Sequence, residues 1–277
     1  MTIGEAIAMG IVHGLSEFLP ISETGHFAIL NSLFELSTAG SNLMFRVLLN
    51  AGTLIAVIIS FWKELREMVF QLLGLMKMGP YRDLQRTHYP GARLLLLQLT
   101  ASLPLLLVIS LRKAMDQLFA IPFFVGVILI LNGLVLYAAD HMTPGAKNEG
   151  NMSFLDALIV GLCECVSIIP GFSRTGVTLT AGLATGLDRK FAVRFSLLLT
   201  IPLVFVRTIM DLVDAIDYGF ALSDMPAFLV GTAAALVTAM AAILLVRQLI
   251  GKSGRIGTFS YYCLILGVLF IILTVIF

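Results

Sequence analysis

The chain has 277 residues, 58% of them hydrophobic and 13% charged, with a formal net charge of +1 and a mean hydropathy of +0.98. A soluble domain carries about 25% charged residues, so this chain lacks the polar surface to clothe a globule of its size and reads as an integral membrane protein. The near-zero net charge excludes a general basic field and with it nucleic acid as a partner; Cys163, Cys165 and Cys263 cannot form a zinc site alone and sit in apolar stretches as buried thiols.

In chain order, residues 2–33 form the first apolar region. The centre from Ser16 to His26, which contains Pro20, breaks it into two short pieces. It lacks a basic start and carries Glu5, His13 and Glu17, so it is not read as a cleaved signal peptide. Spans are predicted at 44–62, 92–111 and 118–139, and 63–78 reads as an amphipathic helix on the membrane surface. A second interrupted region, 153–187, has its polar centre from Ser167 to Gly176, with Pro170-Gly171 inside it. Spans at 191–213, 226–247 and 257–277 complete the chain. The pieces of both interrupted regions, about 12 to 15 residues each, are too short to cross a bilayer and read as legs of re-entrant hairpins.

The two interrupted regions match at a constant offset of 151 residues: Gly10 with Gly161, Ser16 with Ser167, Ser22 with Ser173, Thr24 with Thr175 and Gly25 with Gly176. Three spans follow each hairpin, so the second half enters the membrane upside down relative to the first. The expected fold is an all-α polytopic membrane protein with an inverted-topology repeat, six transmembrane helices plus two re-entrant helical hairpins. It forms one integral membrane domain over 1–277, with repeat 1 at about 1–140 and repeat 2 at about 150–277. Twelve Lys and Arg residues fall on the side of the loops 63–93, 140–153, 187–190 and 247–256, against Arg112 and Lys113 on the other, which puts the first side in the cytoplasm. Arg46, Arg174, Arg194 and Arg207 remain at membrane depth.

Ionisable residues at that depth are costly and mark function. They concentrate in the broken regions as His13, Glu17, Glu23 and His26, and as Glu164 and Arg174. A helix is predicted to start after Pro20 and another after Pro170-Gly171, with Ser22 and Ser173 as N-caps. Two such N-termini would aim N–H groups and positive dipole ends at an anion. Arg174 adds a fork suited to phosphate oxygens, and hydroxyls of Ser22, Thr24, Ser173, Thr175 and Thr178 complete the shell. Glu17 suits a divalent cation or a proton from water, and His26 suits acid, base or nucleophilic work. Together these are the parts of a phosphoryl-transfer site.

At these residues the chain resembles the bacitracin-resistance family of undecaprenyl pyrophosphate phosphatases. Gly14 to Ser22, continued by Thr24-Gly25-His26, matches the family's first signature, and Pro170 to Thr178 matches its second. Weaker similarity runs through Gly52 to Val57 and Arg194 to Pro202. The resemblance implies hydrolysis of undecaprenyl pyrophosphate to undecaprenyl phosphate and phosphate in a bacterial cell membrane, with the site opening to the outer face and a divalent cation, Mg²⁺ or Ca²⁺, as cofactor. It implies Glu17, His26, Ser173 and Arg174 as catalytic residues, and Ser22, Thr24, Arg174, Thr175, Gly176 and Thr178 around the substrate. Its partners would be the polyprenyl pyrophosphate and membrane lipids, with a homodimer left open. His13 stands where the family usually has Glu, Glu23 where it has Ser, and Arg46 where an acid is common. Glu23 is therefore expected to share the metal with Glu17 from the other leg of the hairpin, or alternatively to pair with Arg46. A polyprenyl-phosphate transporter and a catalytically silent lipid-phosphate binder stay open beside the phosphatase; phosphate release and lipid flux into liposomes separate the three.

Overall fold

The computed structural model describes residues 1–34, 39–78, 89–106 and 121–276, with the backbone alone at 31–34, 39 and 40. Arg82, Arg86, Arg112 and Lys113, used above for orientation, lie outside the described residues. Apart from one isolated bridge between Lys147 and Leu187, the regular structure among the described residues is helical. In chain order the helices are α1 (Ile3–Phe18), α2 (Glu23–Phe34), α3 (Ala39–Ser60), α4 (Trp62–Leu75), α5 (Pro90–Ser102) and α6 (Pro122–His141). They continue with α7 (Phe154–Val166), α8 (Arg174–Ala184), α9 (Arg189–Tyr218), α10 (Met225–Val246), whose last turn widens into a π-turn over Arg247–Lys252, and α11 (Gly257–Ile276).

Five described helical stretches are long and apolar enough to cross a membrane: Ser41–Ser60, Pro122–His141, Arg189–Tyr218, Leu222–Lys252 and Gly257–Ile276. The chain is a multi-pass membrane protein. The stretch predicted as a span at 92–111 is described only in part, and its described part is interrupted. There the helix is α5, which stops at Ser102, and residues 107–111 lie outside the described residues. Pro104 explains the stop: it has no N–H for the carbonyl of Thr100, and its ring would crowd that carbonyl. The N–H of Leu103 closes the last turn onto Thr100 instead, at 3.2 Å. At the other end of α5 the side chain of the cap residue Tyr89 does not cap the helix. The Gln71 side chain of α4 takes its place, accepting from the N–H groups of Gly91 at 2.8 Å and Ala92 at 3.3 Å. Helix α4 leaves Trp62 and Val69 exposed while burying Met68, Gln71 and Gly74, the two-faced pattern of an interfacial helix.

The two interrupted regions fold alike. Both open on a capping box: Thr2 with Glu5 at the start of α1, and Ser153 with Asp156, 151 residues later, at the start of α7. Each first leg breaks at its Pro-containing centre and a short second leg follows. Helices α7 and α8, of 13 and 11 residues, measure about 20 and 16 Å at 1.5 Å per residue, well short of the roughly 30 Å bilayer core. Neither region consists of two full-length spans. Close packing of the first legs rests on matched glycines. A Cβ on Gly10 would overlap the backbone carbonyl of Gly231 in α10, and one on Gly161 would overlap that of Ala101 in α5. Gly10→Ala and Gly161→Ala are each expected to cost about 1–3 kcal/mol by overpacking, read as a lower Tm in detergent. Gly4→Ala, whose Cβ meets nothing within 4 Å, should leave Tm unchanged.

Helices α3 and α9 run antiparallel past each other. Arg46, near the start of α3, meets Asp211, near the end of α9, while Arg194, near the start of α9, meets Glu64 just beyond α3. Arg194 also pairs with Glu149 at 3.3 Å and lies over the Phe191 ring. It therefore belongs to the polar first turns of α9, held in a structural pair. The main buried cluster joins Phe18, Ala56, Leu97, Leu136, Val160, Leu179, Leu197, Ala239 and Cys263. It packs the hairpins against the long helices from several sides.

Candidate functional site

The tips of the two hairpins interlock. Helix α1 ends at Phe18, so its last carbonyls have no partners in the helix. The second hairpin supplies the donors: Arg174 Nη2 gives to Glu17 O at 3.2 Å, Thr175 Oγ1 to Glu17 O at 3.3 Å, and Ser173 Oγ to Leu19 O at 3.5 Å. A fourth donor from the second hairpin, the Gly171 N–H, gives to Thr24 Oγ1 at 3.3 Å. Gly171 has φ +107°, a left-handed conformation that glycine adopts without strain.

Both expected N-caps form. The Ser173 hydroxyl accepts from the Gly176 N–H at 3.2 Å, and the Ser22 hydroxyl accepts from the Gly25 N–H at 3.1 Å while touching Thr24 Oγ1 at 3.2 Å. They differ in backbone. Ser173 is extended, whereas Ser22 is fully buried at φ +72°. A non-glycine residue in that region stores strain, a feature that clusters at functional sites.

Arg174 is buried and heavily engaged. Besides its bonds to Glu17 O and Thr175, its Nη1 gives to Ser196 O at 3.2 Å, and its Nε stands 3.5 Å from Glu17 Oε1 without a hydrogen-bond partner among the described residues. The guanidinium thus braces both hairpins while Nε remains aimed at the Glu17 carboxylate. Thr178 gives to Arg174 O at 2.8 Å and its hydroxyl also meets that of Ser196. Gly176 packs toward Leu136 and Asn132 of α6. Glu17, Ser173, Arg174, Thr175 and Thr178 are therefore brought together, with Ser22 and Thr24 joined to them through the Thr24–Gly171 bond.

His26 points elsewhere. Its Nδ1 lies 2.8 Å from Ser22 O, and a carbonyl only accepts, so the proton sits on Nδ1. In the neutral ring Nε2 then accepts from the Tyr262 hydroxyl at 2.7 Å, with the two rings within 4° of parallel. Glu23 also departs from expectation. Its Oε1 faces His13 Nδ1 at 3.2 Å and its Oε2 takes Arg207 Nη1 at 2.9 Å, whereas Arg46 grips Asp211 with two bonds of 2.9 and 3.0 Å. Glu23 is thus held by Arg207, eleven residues along α9 from Ser196, a rise of about 16 Å.

This bears on the metal. A hard cation wants several oxygen ligands, and among the described residues no group of three His, Cys, Asp or Glu side chains is placed to hold one. Glu17 suits a single carboxylate ligand. Glu23 does not fit as its partner in this arrangement, because both of its oxygens face cationic or potentially cationic side chains. The expected Glu23–Arg46 pair is replaced by Glu23–Arg207 and Arg46–Asp211.

The offset of 151 exposes a further relation. His13 corresponds to Glu164, and Glu23 to Arg174. One hairpin carries a base and an acid where the other carries an acid and a base. Glu164 is fully buried, and neither of its carboxylate oxygens has a hydrogen-bond partner among the described residues. Sequence reasoning missed Asn132, Ser196 and Tyr262 because they sit inside predicted spans. Asn132 left a readable signal, as the one amide in an apolar 20-residue helix.

The model of the bacitracin resistance protein BacA family matches residues 6–269. The undecaprenyl-diphosphatase of Pelotomaculum thermopropionicum is 36% identical over 276 residues, covering 99% of this chain and 97% of that protein. That of Korarchaeum cryptofilum is 34% identical over 269 residues, covering 97% and 98%. That of Methanosphaera stadtmanae is 32% identical over 281 residues, covering 100% and 99%.

Proposed function

The chain belongs to the bacitracin resistance protein BacA family, and from that premise we propose that it hydrolyses undecaprenyl diphosphate to undecaprenyl phosphate and inorganic phosphate. The carrying observation is the α8 N-terminus, where Ser173, Arg174 and Thr175 are pinned against the first hairpin beside the Glu17 carboxylate. With the Gly176 N–H capped by Ser173, the first-turn N–H groups of Arg174 and Thr175 receive oxygens of the terminal phosphate. The Arg174 guanidinium offsets its charge. Ser173 Oγ attacks the terminal phosphorus and yields its proton to Glu17 as the anhydride P–O bond breaks and undecaprenyl phosphate leaves. Glu17 passes that proton to the departing undecaprenyl phosphate. Water then attacks the phosphoserine and gives its proton to Glu17, and Glu17 returns it to the Ser173 oxygen as the Ser–O–P bond breaks and phosphate leaves. His26 stays outside this reaction sequence, with its Nδ1 proton on Ser22 O and its Nε2 accepting from Tyr262.

A divalent cation, Mg²⁺ or Ca²⁺, fits Glu17 together with substrate oxygens and would neutralise phosphate charge when bound. Chelation should therefore suppress phosphate release and re-addition should restore it, in Glu23→Gln as in the parent protein; a change of cation affinity confined to Glu23→Gln would return Glu23 to the ligand set.

The architecture we propose is an inverted repeat, supported by the twin capping boxes, the matched glycine contacts and the antiparallel α3–α9 pair. The protein sits in a bacterial plasma membrane with the site open to the outer face, supported by the excess of Lys and Arg on the opposite side. Its partners are the lipid diphosphate and the surrounding lipids, and a homodimer is compatible with this arrangement. The decisive experiment is release of inorganic phosphate from undecaprenyl diphosphate by the purified protein in detergent. Release that Ser173→Ala and Glu17→Gln both abolish supports the reading. Tight lipid binding without release would establish a silent binder, and lipid flux without release a transporter.

A further inference from the structure

Helix α6 belongs to neither hairpin, yet its Asn132 touches the tips of both. The residue is fully buried. Its Oδ1 accepts from the Ser173 N–H at 2.9 Å. Its Nδ2 gives to Pro20 O at 3.2 Å and to Cys263 Sγ of α11 at 3.3 Å. A side-chain amide is planar and rigid, so the acceptor and donor ends of one group fix two backbone atoms that are 153 positions apart in sequence. The backing helices are long and packed: α6 lies along α11, where Gly126 and Gly133 admit Ile271 and Leu264 at close range. The remaining cross-tip contacts involve flexible hydroxyls or a guanidinium; the Asn132 amide is held on a 20-residue helix.

We propose that Asn132 is a positioning residue for the hydrolytic reaction, setting where the Ser173 hydroxyl stands relative to the turn of the first hairpin and so to the Glu17 carboxylate. This rests on the reading of Ser173 as the reacting hydroxyl. The bond to the Ser173 N–H orients the backbone from which Oγ projects, and the bond to Pro20 O holds the turn just after Leu19, the residue whose carbonyl Oγ contacts. Loss of the amide lets the two tips slide. A displacement of about 1 Å at a reacting group costs on the order of 10²-fold in rate.

The test compares the parent protein, Asn132→Leu, Ser173→Ala and the double variant by kcat and KM for undecaprenyl diphosphate and by Tm in detergent. Asn132→Leu should lower kcat about 10²-fold with KM little changed, and should add nothing to the residual rate of Ser173→Ala, because residues that act through one another are not additive. Near-parental kcat in Asn132→Leu beside an inactive Ser173→Ala overturns the proposal alone. So does a full additional loss in the double variant, which marks a general brace. An active Ser173→Ala removes the reacting hydroxyl itself, and the proposal falls with that reading. Should Asn132→Leu not fold, Asn132→Asp keeps the acceptor for Ser173 and loses donation to Pro20 O while ionised. It should lower kcat with KM little changed and also add nothing to Ser173→Ala; parental kcat in that variant, or additive loss, overturns the proposal.

Discussion

Arg174→Ala is expected to reduce phosphate release by about 10³-fold or more, the scale on which a single guanidinium stabilises a phosphoryl-transfer transition state. The effect has two sources in this structure. The alanine removes the positive charge beside Glu17, and it also removes the donors that tie Glu17 O and Ser196 O to the second hairpin. Arg174→Lys separates them. A lysine restores the charge, but its single ammonium cannot span two carbonyls on different helices and still face the carboxylate, so rescue should be poor. Near-full activity in Arg174→Lys, measured as initial phosphate release at saturating lipid, would show that charge alone is needed and would discard the fork geometry.

Arg207→Met is expected to lower stability strongly. Glu23 is buried and its Oε2 depends on Arg207, while Oε1 has only His13. Breaking a buried ion pair from one side leaves an uncompensated charge and costs about 3–5 kcal/mol. Replacing both partners by apolar residues of similar size costs far less, so Arg207→Met with Glu23→Leu should recover most of the lost Tm. If Arg207→Met alone melts like the parent, Glu23 is not held as described. Arg207 also lies 4.0 Å from Asp211, which Arg46 already grips. The loss should therefore stay with Glu23.

The range of each interaction decides how much of this is legible in the sequence. The broken hairpins can be read because their signals are local: Pro20, Pro170 and Gly171 interrupt apolar runs, and Ser22 and Ser173 cap the short helices beyond them. The α5 boundary escapes because hydropathy averages over a window, whereas Pro104 acts at one carbonyl. The partners of Glu23 and Arg46 cannot be read at all. Both contacts cross from the first repeat to α9, over 184 and 165 residues, and nothing in the spacing of Glu23, Arg46, Arg207 and Asp211 says which acid meets which base. Glu17 and Glu23 are six residues apart and look like one ligand pair, but Glu17 faces Arg174 and Glu23 is held by Arg207.

The exchanged pair at positions 13 and 23 against 164 and 174 has a consequence for symmetry. Two like hairpins meeting tip to tip would enclose a space with equivalent ends, and a ligand with two phosphates could lie in it either way round. Here the scaffold is nearly self-matching while the charges are antisymmetric: imidazole then carboxylate in one half, carboxylate then guanidinium in the other. The space acquires an electrical axis. The end near Arg174 and the end near Glu23 carry unlike side chains, so the two ends of the paired hairpins are not equivalent. Unlike residues at two matched positions thus make two similarly folded hairpins chemically distinct.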